Sequence, residues 1–151
     1  MKFNISILKC LKNSLNGLQM TKTVTIDIAN LKLKYFKISE FDSPDLKGSG
    51  SKMDVEFLQK LDKAREIAGC TFKINSGYRT QKHNLYVGGR FGSSHKIGLA
   101  ADIHYSGSRE RFLIMDALMQ VGINRIGLGT TFIHADLDRK KDDKVIWTYK
   151  Y

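Results

Sequence analysis

Hydrophobic and polar positions along this chain repeat with two different periods. From Asp54 to Cys70, the residues Phe57, Leu58, Leu61, Ala64 and Ala68 recur every three or four places, the spacing that gathers side chains on one helix face. Asp54 stands where a carboxylate caps a first turn, and Gly69 where a helix ends in the left-handed conformation. A second, shorter helix reads over 80–87 and a third over 108–122, opened by Ser108 and closed by Gly122. Runs rich in apolar and β-branched residues predict strands over 70–75, 99–105, 124–129, 131–138 and 145–149. Residues 23–36, TVTIDIANLKLKYF, alternate and predict one or two short strands, or an arm. Residues 38–52, with Pro44, Gly48 and Gly50, read as a surface loop. No internal repeat is visible. Segregated helices followed by a late run of strands predict an α+β fold, a mainly antiparallel sheet with helices packed on one side.

The first twenty residues follow another pattern. Phe3, Ile7, Leu11, Leu15 and Leu18 fall on one helix face, but Lys9 and Lys12 break the apolar run that a signal peptide needs. Residues 1–22 therefore read as an N-terminal extension, disordered or an amphipathic helix able to touch a membrane surface weakly. Met20 offers an alternative start. Residues 23–151 read as a single domain.

Composition narrows the class. A hydrophobic content of 42% against 26% charged excludes a disordered chain. The net charge of +10 favours polyanionic surroundings: nucleic acid, anionic lipid or an anionic cell wall. The basic residues are spread out, and the run Arg139-Lys140-Lys141 is followed by Asp142 and Asp143. With no recognition motif and no aromatic–basic interleaving, a nucleic-acid partner is not expected. Cys10 and Cys70 form no CxxC pair. Cys70 reads as a buried free thiol, in keeping with a reducing compartment.

The candidate chemistry lies in 94-SHKIGLAADIH-104 and 132-FIHAD-136. A catalytic zinc site takes three ligands from His, Asp, Glu or Cys and leaves a position for water. His95, Asp102 and His134 can supply such a set. On strands, Ala100, Asp102 and His104 share one face, as do Phe132, His134 and Asp136. If the two strands pair, Asp102 and His134 converge, and His95 folds over them from the preceding loop. Gly98, Ala100 and Ala101 leave room. Spacing alone also suits structural histidines, and only geometry separates the two. The loop 88–94 lacks the Lys-Ser/Thr ending of a phosphate cradle. His104 reads as a packed or solvent-facing residue, and Trp147 and Tyr149 as sheet-packing residues rather than a sugar platform.

The run His95-x-x-Gly98-x-Ala100-x-Asp102, with Ser94 ahead of it, resembles the SxHxxGxAxD signature of the zinc D-Ala-D-Ala carboxypeptidases. These group with lysostaphin-like peptidases and the hedgehog domain. Residues 76-SGYRT-80 resemble the family's upstream SGYR motif, and 134-HAD-136 its late His-x-Asp. The similarity runs from about Phe36 to Tyr149 and is strongest to the short phage and bacterial murein peptidases. It implies the α+β fold of that family, Zn2+ as cofactor, and His95, Asp102 and His134 as its ligands. It implies that Arg79 binds or polarises a substrate oxygen, with Ser76, Tyr78, Ser94 and His83 around the substrate; read from the residues alone, Arg79 also suits a turn-stabilising ion pair and His83 a capping or helix-surface position. Many members carry an acidic base three residues before the last histidine. That position is Thr131 here, so Asp136 becomes the base or the carboxylate that orients His134. The implied activity is hydrolysis of an amide in peptidoglycan stem peptides or cross-links by a monomer. Such a protein is made in the cytoplasm, without a recognisable signal peptide, and acts on the cell wall or periplasm as a phage lysin does. The alternative is a catalytically silent, zinc-containing peptidoglycan-binding module.

Overall fold

The computed structural model describes residues 27–149. The readings for residues 1–22, including Cys10, and the start of the 23–36 segment lie outside them. Asp54 accepts a hydrogen bond from the Phe57 amide at 2.8 Å and starts α1, Val55–Ala68. Gly69 ends it at φ 62°, and all five residues of the expected face are buried. The short α2, Gln81–Tyr86, is capped by Thr80. α3 spans Ser108–Gln120, but Ser108 is its first helical residue rather than its cap. Gly107 takes the cap position without a side-chain bond, and Glu110 reaches back to the Ser106 amide at 2.5 Å. No helix of the described residues is long and apolar enough to cross a membrane.

Five strands follow the expected positions: β1 Lys73–Ser76, β2 Ala100–His104, β3 Arg125–Leu128, β4 Phe132–Asp136 and β5 Val145–Thr148. They form one sheet in the order β1-β2-β4-β3-β5. It is antiparallel except that β5 runs parallel to β3.

One expectation is decided between its alternatives, and a second needs correction. The described part of 23–36 contains no strand; it is a 3-10 turn, Ile28–Asn30, followed by irregular chain. Its backbone finds side chains instead of a ladder: the Asp62 carboxylate accepts from the Lys34 and Tyr35 amides, each at 2.9 Å. Ile28, Leu31, Leu33, Tyr35 and Phe36 pack on the core, so the segment is an arm laid over α1. Residues 38–52 are not a plain surface loop. They contain two 3-10 turns and the fully buried Phe41, and the Asp42 carboxylate accepts from the Gly48 and Gly50 amides. Cys70 is a free thiol, as expected, but only partly buried.

The sheet is two-faced. Ala101, Ile103, Ile126, Ile133 and Ala135 join Phe57, Leu58, Leu61, Ile114, Ala117 and Leu118 in the core. α1 and α3 pack together there, and α3 packs on β4. On the opposite face one row crosses all five strands: Ser76, Asp102, His134, Gly127 and Trp147 are register partners in turn. That row carries the site.

Candidate metal centre

His95 reaches the row from a 3-10 turn, Ser94–Ile97. Gly98 follows at φ 74°, and a Cβ there would stand 2.1 Å from the Lys52 carbonyl oxygen. Only glycine lets the chain turn while lying on the 52–53 backbone, where the Asp54 amide donates to the Gly98 carbonyl at 3.0 Å. β2 supplies Asp102 and β4 supplies His134, which are direct cross-strand partners.

The three side chains meet at three atoms. His95 Nε2 is 3.2 Å from His134 Nδ1 and 3.3 Å from Asp102 Oδ1. His134 Nδ1 is 2.9 Å from Asp102 Oδ1. Zinc bonds of about 2.0–2.1 Å at the tetrahedral angle hold neighbouring ligand atoms about 3.3 Å apart. The triangle is therefore the right size for that ion.

The outer hydrogen bonds decide what these atoms offer. His95 Nδ1 lies 2.7 Å from the Gly77 carbonyl oxygen. A carbonyl only accepts, so Nδ1 carries the proton and Nε2 keeps its lone pair. His134 Nε2 lies 3.1 Å from Asp136 Oδ2, which likewise leaves the Nδ1 lone pair turned inward. With Asp102 Oδ1, three lone pairs converge in a buried space. That arrangement needs a cation, or a proton held on an imidazole, and two imidazoles with one carboxylate are a donor set that suits zinc.

The electrostatics agree. Burial pushes the His95 imidazole below the ordinary histidine range, although Asp102 works the other way. Burial also pulls His134 down, but hydrogen bonds to Asp102 and Asp136 outweigh it and raise its pKa. Burial pushes the Asp102 carboxyl up, yet the two histidines hold it well below the usual carboxylate range. The triangle thus sets an imidazole with a lowered pKa, His95, against one with a raised pKa, His134.

Around the triangle lies a belt of partners. Asp102 Oδ2 pairs with Arg79 Nη2, and Arg79 Nε donates to Ser76 Oγ at 2.8 Å. Asp136 Oδ1 accepts from Arg125 Nε at 2.8 Å and from the Asp138 amide at 3.0 Å. Asp136 sits on the far side of the His134 ring from the triangle, with both oxygens engaged. The Trp147 ring lies 5.6 Å from that of His134, and the Arg125 guanidinium 5.5 Å from the Trp147 ring.

Of the expected site residues, His95, Asp102, His134, Arg79, Asp136 and Ser76 come together. The others do not join the triangle. Ser94, expected beside the substrate, is instead buried, 3.1 Å from Asp138 Oδ2 and 2.7 Å from Lys141 Nζ. The signature's serine, two residues ahead of the histidine, corresponds to Ser93. Tyr78 donates its amide to the Phe41 carbonyl at 2.9 Å and sits under Lys52. His83 lines a separate cavity of about 280 Å³ with Pro44, Asp45, Lys82 and Tyr86. His104 lies 3.4 Å from Ser106 Oγ. Arg125, Asp138, Lys141 and Trp147 are the neighbours that sequence reading missed. Asp138 continues the alternation of 134-HADLD-138 and was findable. Trp147 arrives through the parallel pairing of β5, which leaves no local signal.

Two histidines and an aspartate, drawn from a loop and two adjacent strands onto one face of an α+β sheet, form a donor set that could hold a metal ion. The family model for Peptidase M15 matches residues 33–136, and the chain belongs to that family. The match spans β1 to β4 and contains the whole triangle. No curated protein matches the chain.

Proposed function

We propose that this peptidase is zinc-dependent and hydrolyses an amide bond in peptidoglycan stem peptides or cross-links. The observation that carries the metal is the triangle of converging lone pairs, 2.9–3.3 Å on a side, fixed from outside by Gly77 and Asp136. The wall substrate rests on the resemblance to murein peptidases and on the +10 charge, which suits an anionic wall. Action at the cell wall or periplasm, and a monomeric state, belong to the same proposal.

His95, Asp102 and His134 hold the ion, which when bound supplies Lewis acidity and acidifies water. Asp136 holds the His134 ring by its Nε2 proton, the orienting role rather than that of base, because both its oxygens are occupied. Arg79 aligns Asp102 through Nη2. Its remaining N–H donors are directed to a substrate carbonyl or carboxylate, a task suited to a guanidinium, which stays charged.

A second reading is a zinc-containing peptidoglycan-binding module without catalysis. Thr131 at the place of the usual acid, together with the engaged Asp136, favours it. Incubating the zinc-loaded protein with defined muropeptides, with and without chelator, separates the two by mass spectrometry. A metal-dependent mass change supports the peptidase and names the bond. Intact muropeptides that still bind would transfer the proposal to the binding module.

A further inference from the structure

The chain from α2 to the turn of His95 carries the two most exposed large apolar side chains of the described residues. Tyr86 is 86% exposed and Phe91 85%, and Leu85, Val87 and Ile97 are exposed with them. A side chain that bare has almost none of its own protein around it, so it protrudes. Exposed apolar side chains gathered in one place mark a surface that meets a partner.

The display is held in shape. Asn84 is fully buried, and its Nδ2 donates to the Gly89 and Arg90 carbonyls, each at 3.1 Å. The Gly89 amide donates back to the Asn84 carbonyl at 2.8 Å, and the Gly88 amide to that of Leu85 at 3.1 Å. A Cβ on Gly89 would stand 2.2 Å from Asn84 Oδ1, so only glycine lets the chain fold this closely over the asparagine. Lys96 Nζ fastens the far end: it donates to the Phe91 carbonyl at 2.9 Å and lies 4.6 Å from the centre of the Phe91 ring.

The charge is one-sided. Between Glu66 and Asp102 the sequence has no carboxylate and five basic residues. Three of these, Lys82, Arg90 and Lys96, flank the exposed side chains, and none of the three enters an ion pair among the described residues. Asp45 borders Tyr86 across the His83 cavity, but the Ser43 and Thr80 hydroxyls already occupy its two oxygens, each at 2.6 Å.

The mixture selects the partner. A soluble polyanion would answer the cations and leave Leu85, Val87 and Phe91 in water. A sugar uses ring faces and hydrogen bonds, and the aliphatic side chains offer neither. A protein would need a preformed cleft for each protruding side chain. The boundary of an anionic bilayer needs none: apolar side chains sink into it singly, tyrosine suits the headgroup level, and lysine and arginine meet the lipid phosphates. Lys96 fits this arrangement, because its ammonium is fixed at the root of the Phe91 side chain, the level of the headgroups when the ring is inserted.

We propose that Leu85, Tyr86, Val87 and Phe91, flanked by Lys82, Arg90 and Lys96, form a docking surface for an anionic lipid bilayer. The inference goes beyond the peptidase reading and does not rest on it. The same turn runs into Ser94 and His95, so docking holds the metal centre beside the membrane.

The full-length protein is sedimented with vesicles of phosphatidylglycerol and, separately, of phosphatidylcholine. The expected result is binding about 100-fold tighter to phosphatidylglycerol, near fivefold for each of the three cations. Phe91→Ser and Tyr86→Ser each weaken it about tenfold. Phe91→Trp keeps it, and lipids brominated in the acyl chain quench the new emission beyond the quenching of Trp147 in the wild type. Phe112→Ser, which removes a 67% exposed ring from α3, leaves binding unchanged. No binding to phosphatidylglycerol overturns the proposal, and so does equal binding to both lipids. Binding that survives Phe91→Ser and Tyr86→Ser assigns the attraction to plain charge, if soluble polyphosphate abolishes it, or else to another part of the chain, and either result overturns the docking surface. An equal loss from Phe112→Ser overturns it as well.

Discussion

The two faces of β2 and β4 are equally dry and chemically opposite. On one side Ala101, Ile103, Ile133 and Ala135 are fully buried against α1 and α3. On the other, one residue along each strand, Asp102, His134 and Asp136 are no more than 7% exposed. The apolar face is stabilised by leaving water, at roughly 25 cal/mol per Å², and asks little of any particular neighbour. The polar face gains nothing from burial and must offset desolvation partner by partner. It does so with Arg79 for Asp102, Arg125 and the Asp138 amide for Asp136, and the Gly77 carbonyl for His95. The lone pairs of the triangle are where protein partners give out. Stability is therefore diffuse on one face and itemised on the other, and substitutions should separate the two.

The sharpest break comes from Asp102→Ala. It removes a proposed ligand and strands the Arg79 guanidinium, whose side chain is 15% exposed. Stoichiometric zinc binding should disappear in equilibrium dialysis, and the metal-free protein should lose about 3–5 kcal/mol in urea unfolding, the cost of leaving a buried charge unpaired. Ile133→Ala, the next residue but one from Phe132's neighbour Thr131 and a member of the other face, should cost about 2–4 kcal/mol by cavity formation. Its zinc affinity should stay unchanged where the protein is folded. If Ile133→Ala weakened zinc as strongly as Asp102→Ala, the two faces would not be independent.

Much of this was legible before any coordinates. The period of two in AADIH and FIHAD announces both faces at once, and Asp54 and Gly69 mark the ends of α1 with local chemistry. What stayed hidden depends on pairing at a distance. The alternation of 27–36 looks like a strand, but Asp62 on α1 takes its amides and no strand edge does. Trp147 looks like a sheet residue, and only the parallel register with β3 sets it over Gly127 and beside His134. The role of Asp136 depends on which imidazole nitrogen faces which carboxylate, and no sequence spacing encodes that.

Asp136→Asn tests the itemised face more gently. The amide can still meet His134 but loses the charge that raises the basicity of the ring and pairs with Arg125. Zinc affinity should fall by about 10–100-fold with the fold intact, measured by competition with a chelator. The two histidines also predict a pH signature. In the metal-free protein, imidazole NMR titrations should place His134 above the ordinary value of about 6.5 and His95 below it. The sign follows from linkage. The contribution of His134 to metal-free stability is complete below its unfolded pKa and is lost as pH rises through its raised folded pKa. Zinc binding runs oppositely, weakening as acid returns the proton to His134. Coincident titration of the two rings would contradict the opposite balance of burial and carboxylate partners around them.

The smallest effect probes how the loop that carries His95 is fastened. Lys141 Nζ donates to the Gly92 carbonyl at 2.8 Å and to Ser94 Oγ at 2.7 Å, and lies 3.2 Å from Asp138 Oδ2. It ties the chain after β4 to the turn just before the ligand. Its side chain is 34% exposed, so screening limits its worth to less than about 1 kcal/mol of global stability. Its effect should be local: in Lys141→Ala, limited proteolysis within 88–94 should quicken, and zinc affinity should drop only a few-fold. The exposed Lys140 supplies the control, since its side chain has no part in the strap and Lys140→Ala removes the same charge. Equal responses from both variants would mean that charge alone matters there. A response confined to Lys141 would mean that the polar face is held together, outward from the triangle, by specific pairs as far as its rim.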